Sequence, residues 1–285
     1  MSSSKFKRLY RNIRYQLLAR HFYAITGPMR TLPDFIVIGA MKSGTTSLYN
    51  YICEHPCVLP AAYDEVGFFG DNFHLGLNWY RSMFPTKGQI EDIKHKEGVA
   101  ITGEDTPFYF WNPIAAKRIQ KLLPNTKLII ILRNPIDRAY SEYQDLASNK
   151  SNFPSFETVI ENEMNSQKNN TDIITEKNFE VFNQKNSYLL KGIYVDQLKI
   201  WTSLFPKEQI FILSTENLNS DPISALGSVF QYLNLPDYKI KNPQHQKQKK
   251  YSPMKTETRN ELIEFFKPHN ERLFKMINKK FDWDK

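Results

Sequence analysis

The chain has 285 residues, 41% of them hydrophobic and 24% charged, with a formal net charge of +8. That length is enough for a sizeable core and most simply one domain, and the composition argues against wholesale disorder. Residues 1–33 carry Lys5, Lys7, Arg8, Arg11, Arg14, Arg20 and Arg30 and no acid, so the rest of the chain is near neutral (8 − 7 = 1). Nucleic acid is therefore not an expected partner.

Phe6, Leu9, Tyr10, Ile13 and Leu17 fall on one helical face among the basic residues. The spacing predicts an amphipathic helix over residues 5–22, either docked on its own domain or touching an anionic membrane surface. No apolar run approaches the ~18 residues needed to cross a bilayer, and the N-terminus lacks the apolar core of a signal peptide. Cys53 and Cys57 have no second pair to complete a zinc site and read as reduced thiols, which points to a cytoplasmic, possible peripheral-membrane location.

Phe35-Ile36-Val37-Ile38 has the length and β-branching of a buried parallel strand. A turn follows, with Gly39 and Gly44 bracketing Lys42 and Ser43, and Thr45, Thr46 and Ser47 open a helix with Leu48, Tyr51 and Ile52 as its apolar spacing. Helix-start N–H groups lack intrahelical partners and the helix dipole favours negative charge there, so the stretch is a phosphate-binding loop. It departs from the usual GxxxxGK[ST] loop, because Thr45 follows Gly44 and the lysine stands two residues earlier. The pattern GAMKSGTTS resembles the 5′-phosphosulfate loop of sulfotransferases that use 3′-phosphoadenosine 5′-phosphosulfate (PAPS). The resemblance implies donor contacts from Lys42, Ser43, Gly44, Thr45, Thr46 and Ser47, with Lys42 also catalytic.

Tyr63 to Phe69 sets an acidic pair, Asp64 and Glu65, ahead of two aromatics, Phe68 and Phe69. In carbohydrate-acting sulfotransferases this place reads Lys-Glu, two positions ending in His, then Phe-Phe. Glu65 then matches the general base, expected partly buried beside Phe68 and Phe69, while Asp64 and Gly67 depart from the pattern. Leu77 to Pro85 reads as a short helix ending before the proline, and Lys87 to Gly98 as a charged connection. Val99 to Gly103 is a second core strand that delivers Glu104, Asp105 and Thr106 to its C-terminal edge, where ligands bind in open α/β sheets. Asp105 stands where many family members have lysine or a small residue.

A helix over Ala115–Leu123 precedes the strand Lys127–Leu132, which delivers Arg133 and, on the following helix, Ser141. A guanidinium fork and a hydroxyl converging there suit a phosphate monoester. RNPIDRAYSEY resembles the 3′-phosphate motif of the same family, carried by Arg133 and Ser141. Arg138 has a structural alternative in a salt bridge to Glu142 one turn later, and Asp137 in local pairing.

Residues 148–186 form a polar insertion or lid, with a short helix at Phe156, Ile160 and Met164 and sequons at Asn149 and Asn169 read as chance. A helix beginning at Leu190, a strand over Gln209–Leu213 and a helix from Asn219 continue the alternation of a doubly wound sheet. The basic run Lys239–Lys250 reads by itself as a solvated loop, while its position matches the family's late loop that closes on the 3′-phosphate, a resemblance that implies contacts from Lys249 and Tyr251. Thr258 to Ile277 reads as an amphipathic helix pair split at Pro268.

The expected fold is α/β, a three-layer αβα arrangement with a central, mainly parallel sheet and a P-loop-type core. Its parts are a basic amphipathic segment (1–33) and a single sulfotransferase domain (34–285). The resemblance implies PAPS-dependent, metal-free transfer to a hydroxyl or amine of a glycan, glycolipid or small alcohol. A non-catalytic nucleotide binder and a P-loop kinase are the alternatives. The kinase would need an acidic magnesium holder where this chain places Arg133.

Overall fold

The structure is a computed structural model that describes residues 23–148, 151–168, 175–179, 183, 187–240 and 252–283. The helix expected over 5–22, both sequon asparagines, and Lys249 and Tyr251 of the late basic loop lie outside the described residues.

The elements run β1 (Phe35–Gly39), α1 (Thr45–Cys53), β2 (Val58–Pro60), α2 (Leu77–Arg81), α3 (Lys87–Glu97), β3 (Ile101–Asp105), α4 (Pro113–Leu122) and β4 (Lys127–Leu132). They continue as α5 (Pro135–Ala147), α6 (Phe156–Lys168), α7 (Tyr194–Leu204), β5 (Ile210–Ser214), α8 (Thr215–Ser220), α9 (Pro222–Leu233) and α10 (Thr256–Ile277). The strands form one sheet in the order β2-β3-β1-β4-β5, with every neighbouring pair parallel. The chain leaves β1 for β2 at one edge, returns through β3, and crosses to β4 on the other flank. Winding therefore reverses around β1, the place where such sheets open a crevice beyond their C-terminal ends.

Burial follows the strand period of two. Phe35 and Val37 of β1, with Ile129 and Ile131 of β4, face Leu48 and Ile52 of α1 and Leu226, Val229 and Phe230 of α9. Ile36 and Ile38, with Leu128 and Ile130, face the opposite layer, where Ile119 of α4, Ile136 of α5, Leu198 and Trp201 of α7 and Phe266 of α10 pack together. Each such fully buried side chain stabilises the fold by about 1.5–3 kcal/mol. The result is the expected three-layer αβα sandwich.

Helix starts in this chain repeat one device. Asn112, Asn134 and Asp221 each accept a hydrogen bond from an N–H of the first turn, and Pro113, Pro135 and Pro222 follow them as the first helical residue. The structure corrects several expected boundaries. Residues 87–98 are not a connection but helix α3, started by a reciprocal capping box between Thr86 and Gln89 and stopped by Gly98 at φ 84°. Pro268 does not split the last element. A single helix runs through it, because Leu262, Phe266, Asn270 and Leu273 stay buried on both sides and outweigh the backbone bond that proline cannot make. Helix α2 stops at Arg81, short of Pro85. Leu190–Gly192 is a 3-10 turn ahead of α7, and β3 extends through Asp105, which pairs with Val37. Within the polar stretch, Phe156 and Ile160 of α6 are buried in the core.

Candidate active site

The loop after β1 is built around backbone that side chains would obstruct. A Cβ on Gly39 would lie 2.5 Å from Phe110 Cβ and 2.9 Å from the Pro107 carbonyl oxygen, so glycine lets β1 pass beneath the Pro107–Trp111 turn. Lys42 and Gly44 adopt φ 65° and 87°. At Gly44 a Cβ would meet nothing within 4 Å, so its backbone conformation is what calls for glycine. Gly44 is the N-cap of α1 and offers no side chain to its first N–H groups, and the first helical residues, Thr45 and Thr46, line the cavity described next.

Two side chains, Arg133 and Thr215, fasten this loop to the tip of β4, and Tyr194 steadies the tip itself. Arg133 Nη1 donates to the Lys42 carbonyl at 3.2 Å. The Thr215 hydroxyl donates to the Ser43 carbonyl at 2.6 Å and lies 3.1 Å from that of Leu132. The Tyr194 hydroxyl donates to the Arg133 carbonyl at 2.9 Å.

A cavity of about 810 Å³ opens at this edge, a size suited to a ligand site. Of the residues singled out in the sequence, it brings together Lys42, Gly44, Thr45, Thr46, Glu65, Arg133 and Ser141. Ser43 and Ser47 are not in its lining. Ser43 is buried beneath the loop, and Ser47 lies further along α1.

Other residues complete the wall: Phe108, Asp137, Tyr140, Asp145, Ser252–Met254 and Arg259. Lys42 Nζ is 3.2 Å from Asp145, and Arg259 Nη1 is 2.8 Å from Asp137, which makes Asp137 a long-range partner rather than a local one. Tyr140 donates to the Ser252 carbonyl at 2.7 Å and pins that segment to α5. Asp145 had a readable signal, since it is one turn beyond Ser141 on the same helix face. Arg259 had none. Arg138, in contrast, is fully buried and bonded to Glu142 at 2.8 Å, while Lys191 reaches the same carboxylate at 2.7 Å. Burial opposes the charge on Glu142, but these two cations outweigh it and hold its pKa below the usual value. That trio is structural.

Four acids, Asp64, Glu65, Glu104 and Asp105, gather on the β3 side, and of these Glu65 lines the cavity. Glu65 lines the cavity in the left-handed region, φ 53°. It is exposed rather than partly buried, because its turn lifts it away from Phe68 and Phe69, which are buried among Tyr80 and Tyr109. Asp64 is also exposed. Beneath the turn, Glu104 is fully buried and accepts from the Tyr80 hydroxyl at 2.5 Å and the Thr106 hydroxyl at 2.7 Å. Burial pushes Glu104 up to about 7 against the opposing effect of these bonds. Asp105 is pushed up to about 8, first by burial and then by the negative charges of Glu104, Glu65 and Asp64. Among the described residues no group of three His, Cys, Asp or Glu side chains is placed to hold a metal ion.

A parallel sheet of this order, with a glycine-containing loop after its central strand and a guanidinium at the neighbouring tip, defines an α/β protein with a cavity at the C-terminal edge of its sheet. The chain belongs to the sulfotransferase family of enzymes: residues 32–285 match its sulfotransferase domain. It is 31% identical to the membrane-associated sulfotransferase kil1 of Dictyostelium discoideum, over 91% of this chain and 68% of that protein. It is 30% identical to the bifunctional heparan sulfate N-deacetylase/N-sulfotransferase 1 of Caenorhabditis briggsae, over 88% of this chain but 30% of that protein. The crystal structure of a sulfotransferase from Alicyclobacillus acidocaldarius superposes with a TM-score of 0.66 at 25% identity, covering 90% of this chain and all of that one. Sulfotransferases generally draw on PAPS. Among the described residues no helix is long and apolar enough to cross a membrane.

Proposed function

We propose that this protein transfers the sulfuryl group of PAPS to a hydroxyl of a neutral glycan or glycolipid. The observation that carries the reading is the convergence of the β1 loop, Arg133, Ser141 and Glu65 on one cavity. The loop amides and Lys42 would hold the 5′-phosphosulfate, and Arg133 with Ser141 the 3′-phosphate. Lys249 and Tyr251 join them by family resemblance.

In the transfer, the acceptor oxygen forms a bond to sulfur as the bond from sulfur to the 5′-phosphate oxygen breaks. The acceptor proton goes to the Glu65 carboxylate, and 3′-phosphoadenosine 5′-phosphate departs. Catalysis then rests on alignment and on balancing charge at the leaving phosphate, the task of Lys42 and the helix start. Lys42 must first exchange Asp145 for the donor. Relatives named for heparan sulfate favour a glycan acceptor. Asp64, exposed on the turn where the family usually has lysine, favours a neutral glycan over a polyanion. The departures at Asp64 and Gly67 support a second reading as a nucleotide binder that does not transfer.

Calorimetric titration with 3′-phosphoadenosine 5′-phosphate against 5′-AMP, each with EDTA, tests the donor site. The 3′-phosphate should be required, and Arg133→Ala should weaken binding about 10- to 100-fold, the worth of a charge-assisted hydrogen bond. Equal binding of the two nucleotides would remove the sulfotransferase reading. Radiolabelled PAPS offered with chitopentaose, heparosan or galactosylceramide vesicles then separates transfer from mere binding and neutral acceptors from anionic ones.

A further inference from the structure

Glu65 and Gly67 both stand in the left-handed backbone region, at φ 53° and 65°. Glutamate adopts that conformation at an energetic cost, and it persists only where the surroundings over-determine it. Here three amides of the turn are held from below. The Glu65 N–H donates to the Asp105 carboxylate. The Gly67 N–H donates to Thr106 Oγ1 at 3.2 Å, and the Phe69 N–H to the Tyr109 hydroxyl oxygen at 3.2 Å.

Those two hydroxyls do not choose their own orientation. A hydroxyl has one proton to give, and that of Thr106 is committed to Glu104 Oε2 at 2.7 Å. Tyr109 is hydrogen-bonded to Glu104 as well, and Tyr80 donates to Oε1 at 2.5 Å. With the Thr106 proton directed inward to Glu104, its oxygen is left to accept the Gly67 amide from above, and the same carboxyl orients Tyr109. Glu104 is fully buried and does not line the cavity, and burying a carboxyl is unfavourable unless it is well bonded. Asp105 is buried on the other side of β3, where parallel pairing with Val37 fixes it.

We infer that Glu104 and Asp105 are positioning residues that clamp the 65–69 turn and hold Glu65, in its strained conformation, at the cavity wall. The inference rests on the reading of Glu65 as general base, but the clamp itself can be measured without it. The acids of β3 thus act through backbone, not on the acceptor. Asp105, in the position where the family often has lysine, is turned to a structural task.

The decisive experiment is amide hydrogen exchange on Glu104→Ala, Glu104→Gln and Thr106→Val. Thr106→Val keeps the shape and removes only the hydroxyl, so it serves even if Glu104→Ala does not fold. Exchange at Gly67 should accelerate at least tenfold in Thr106→Val, and at Gly67 and Phe69 in Glu104→Ala, with Glu104→Gln closer to the parent. Affinity for 3′-phosphoadenosine 5′-phosphate should stay within twofold. In transfer from PAPS to chitopentaose or galactosylceramide vesicles, kcat should fall at least tenfold with a smaller change in KM.

Unchanged exchange at both amides in the folded variants overturns the clamp. Loosened amides with full kcat, while Glu65→Gln is inactive, overturn the positioning role. Loosened amides with an active Glu65→Gln leave the clamp standing and reject Glu65 as the base.

Discussion

The strands on either side of β1 end at the same edge of the sheet with opposite chemistry. At the tip of β4, Arg133 keeps its guanidinium in the cavity wall and ties itself to the β1 loop through one bond. At the tip of β3, Glu104 and Asp105 are withdrawn into the protein and reach the cavity only through the turn above them. One tip presents charge to the cavity, and the other turns charge to geometry. An acid near a site is therefore no guide to its role until its burial and partners are known.

The sharpest way to break this contrast is Glu65→Gln. If Glu65 is the group the β3 acids serve, kcat should fall by about 10²–10⁴, while calorimetry shows 3′-phosphoadenosine 5′-phosphate binding unchanged. Retained activity would leave these acids without a catalytic purpose.

The next effect is on stability. Glu104, Asp105 and Glu163 are pushed up to about 7, 8 and 7 from 4.5, 3.8 and 4.5, each chiefly by burial. The folded protein holds these protons where the unfolded chain has released them. Their contribution is complete below about pH 4 and is lost as pH rises through 7 to 8. Glu142, held low by Arg138 and Lys191 against its burial, works in the opposite direction and is lost as pH falls below its folded value. A series of thermal melts should show the highest Tm near pH 5 and a decline of several degrees by pH 8.5, flattened in Glu104→Gln. A Tm that climbs between pH 5 and 8.5 would mean that the pocket prefers charged carboxylates.

The smallest expected effect lies on the basic side. Lys42 is engaged by Asp145 in a partly exposed pair screened by solvent. Asp145→Asn should tighten 3′-phosphoadenosine 5′-phosphate binding by no more than about fivefold, and the gain should shrink with added salt. Weaker binding in this variant would assign Asp145 a direct role in holding the donor.

What the sequence disclosed was local. The apolar run of β1, the glycine spacing around Lys42 and the strand ahead of Arg133 each carry their meaning within about ten residues, and all three stand where the pattern predicted. Helix α3 buries no residue, so it has no apolar stripe to read. Its only signals were Thr86 with Gln89 and the closing Gly98. The partners of Glu104 come from Tyr80, Thr106 and Tyr109, and the Arg259–Asp137 pair spans 122 residues. No local period announces such meetings. Glu65 was legible as a residue but not as a conformation, since a positive φ at glutamate is imposed by what lies beneath it.

The Thr215 hydroxyl, set against carbonyls from the β1 loop and from β4, has a kinetic consequence. Two cavity-lining segments some ninety residues apart are joined before any ligand arrives, so the entropy of ordering them is settled when the chain folds. Capture of a nucleotide then need not wait for the loop to find its shape, and the barrier to association shifts to diffusion and entry into the cavity.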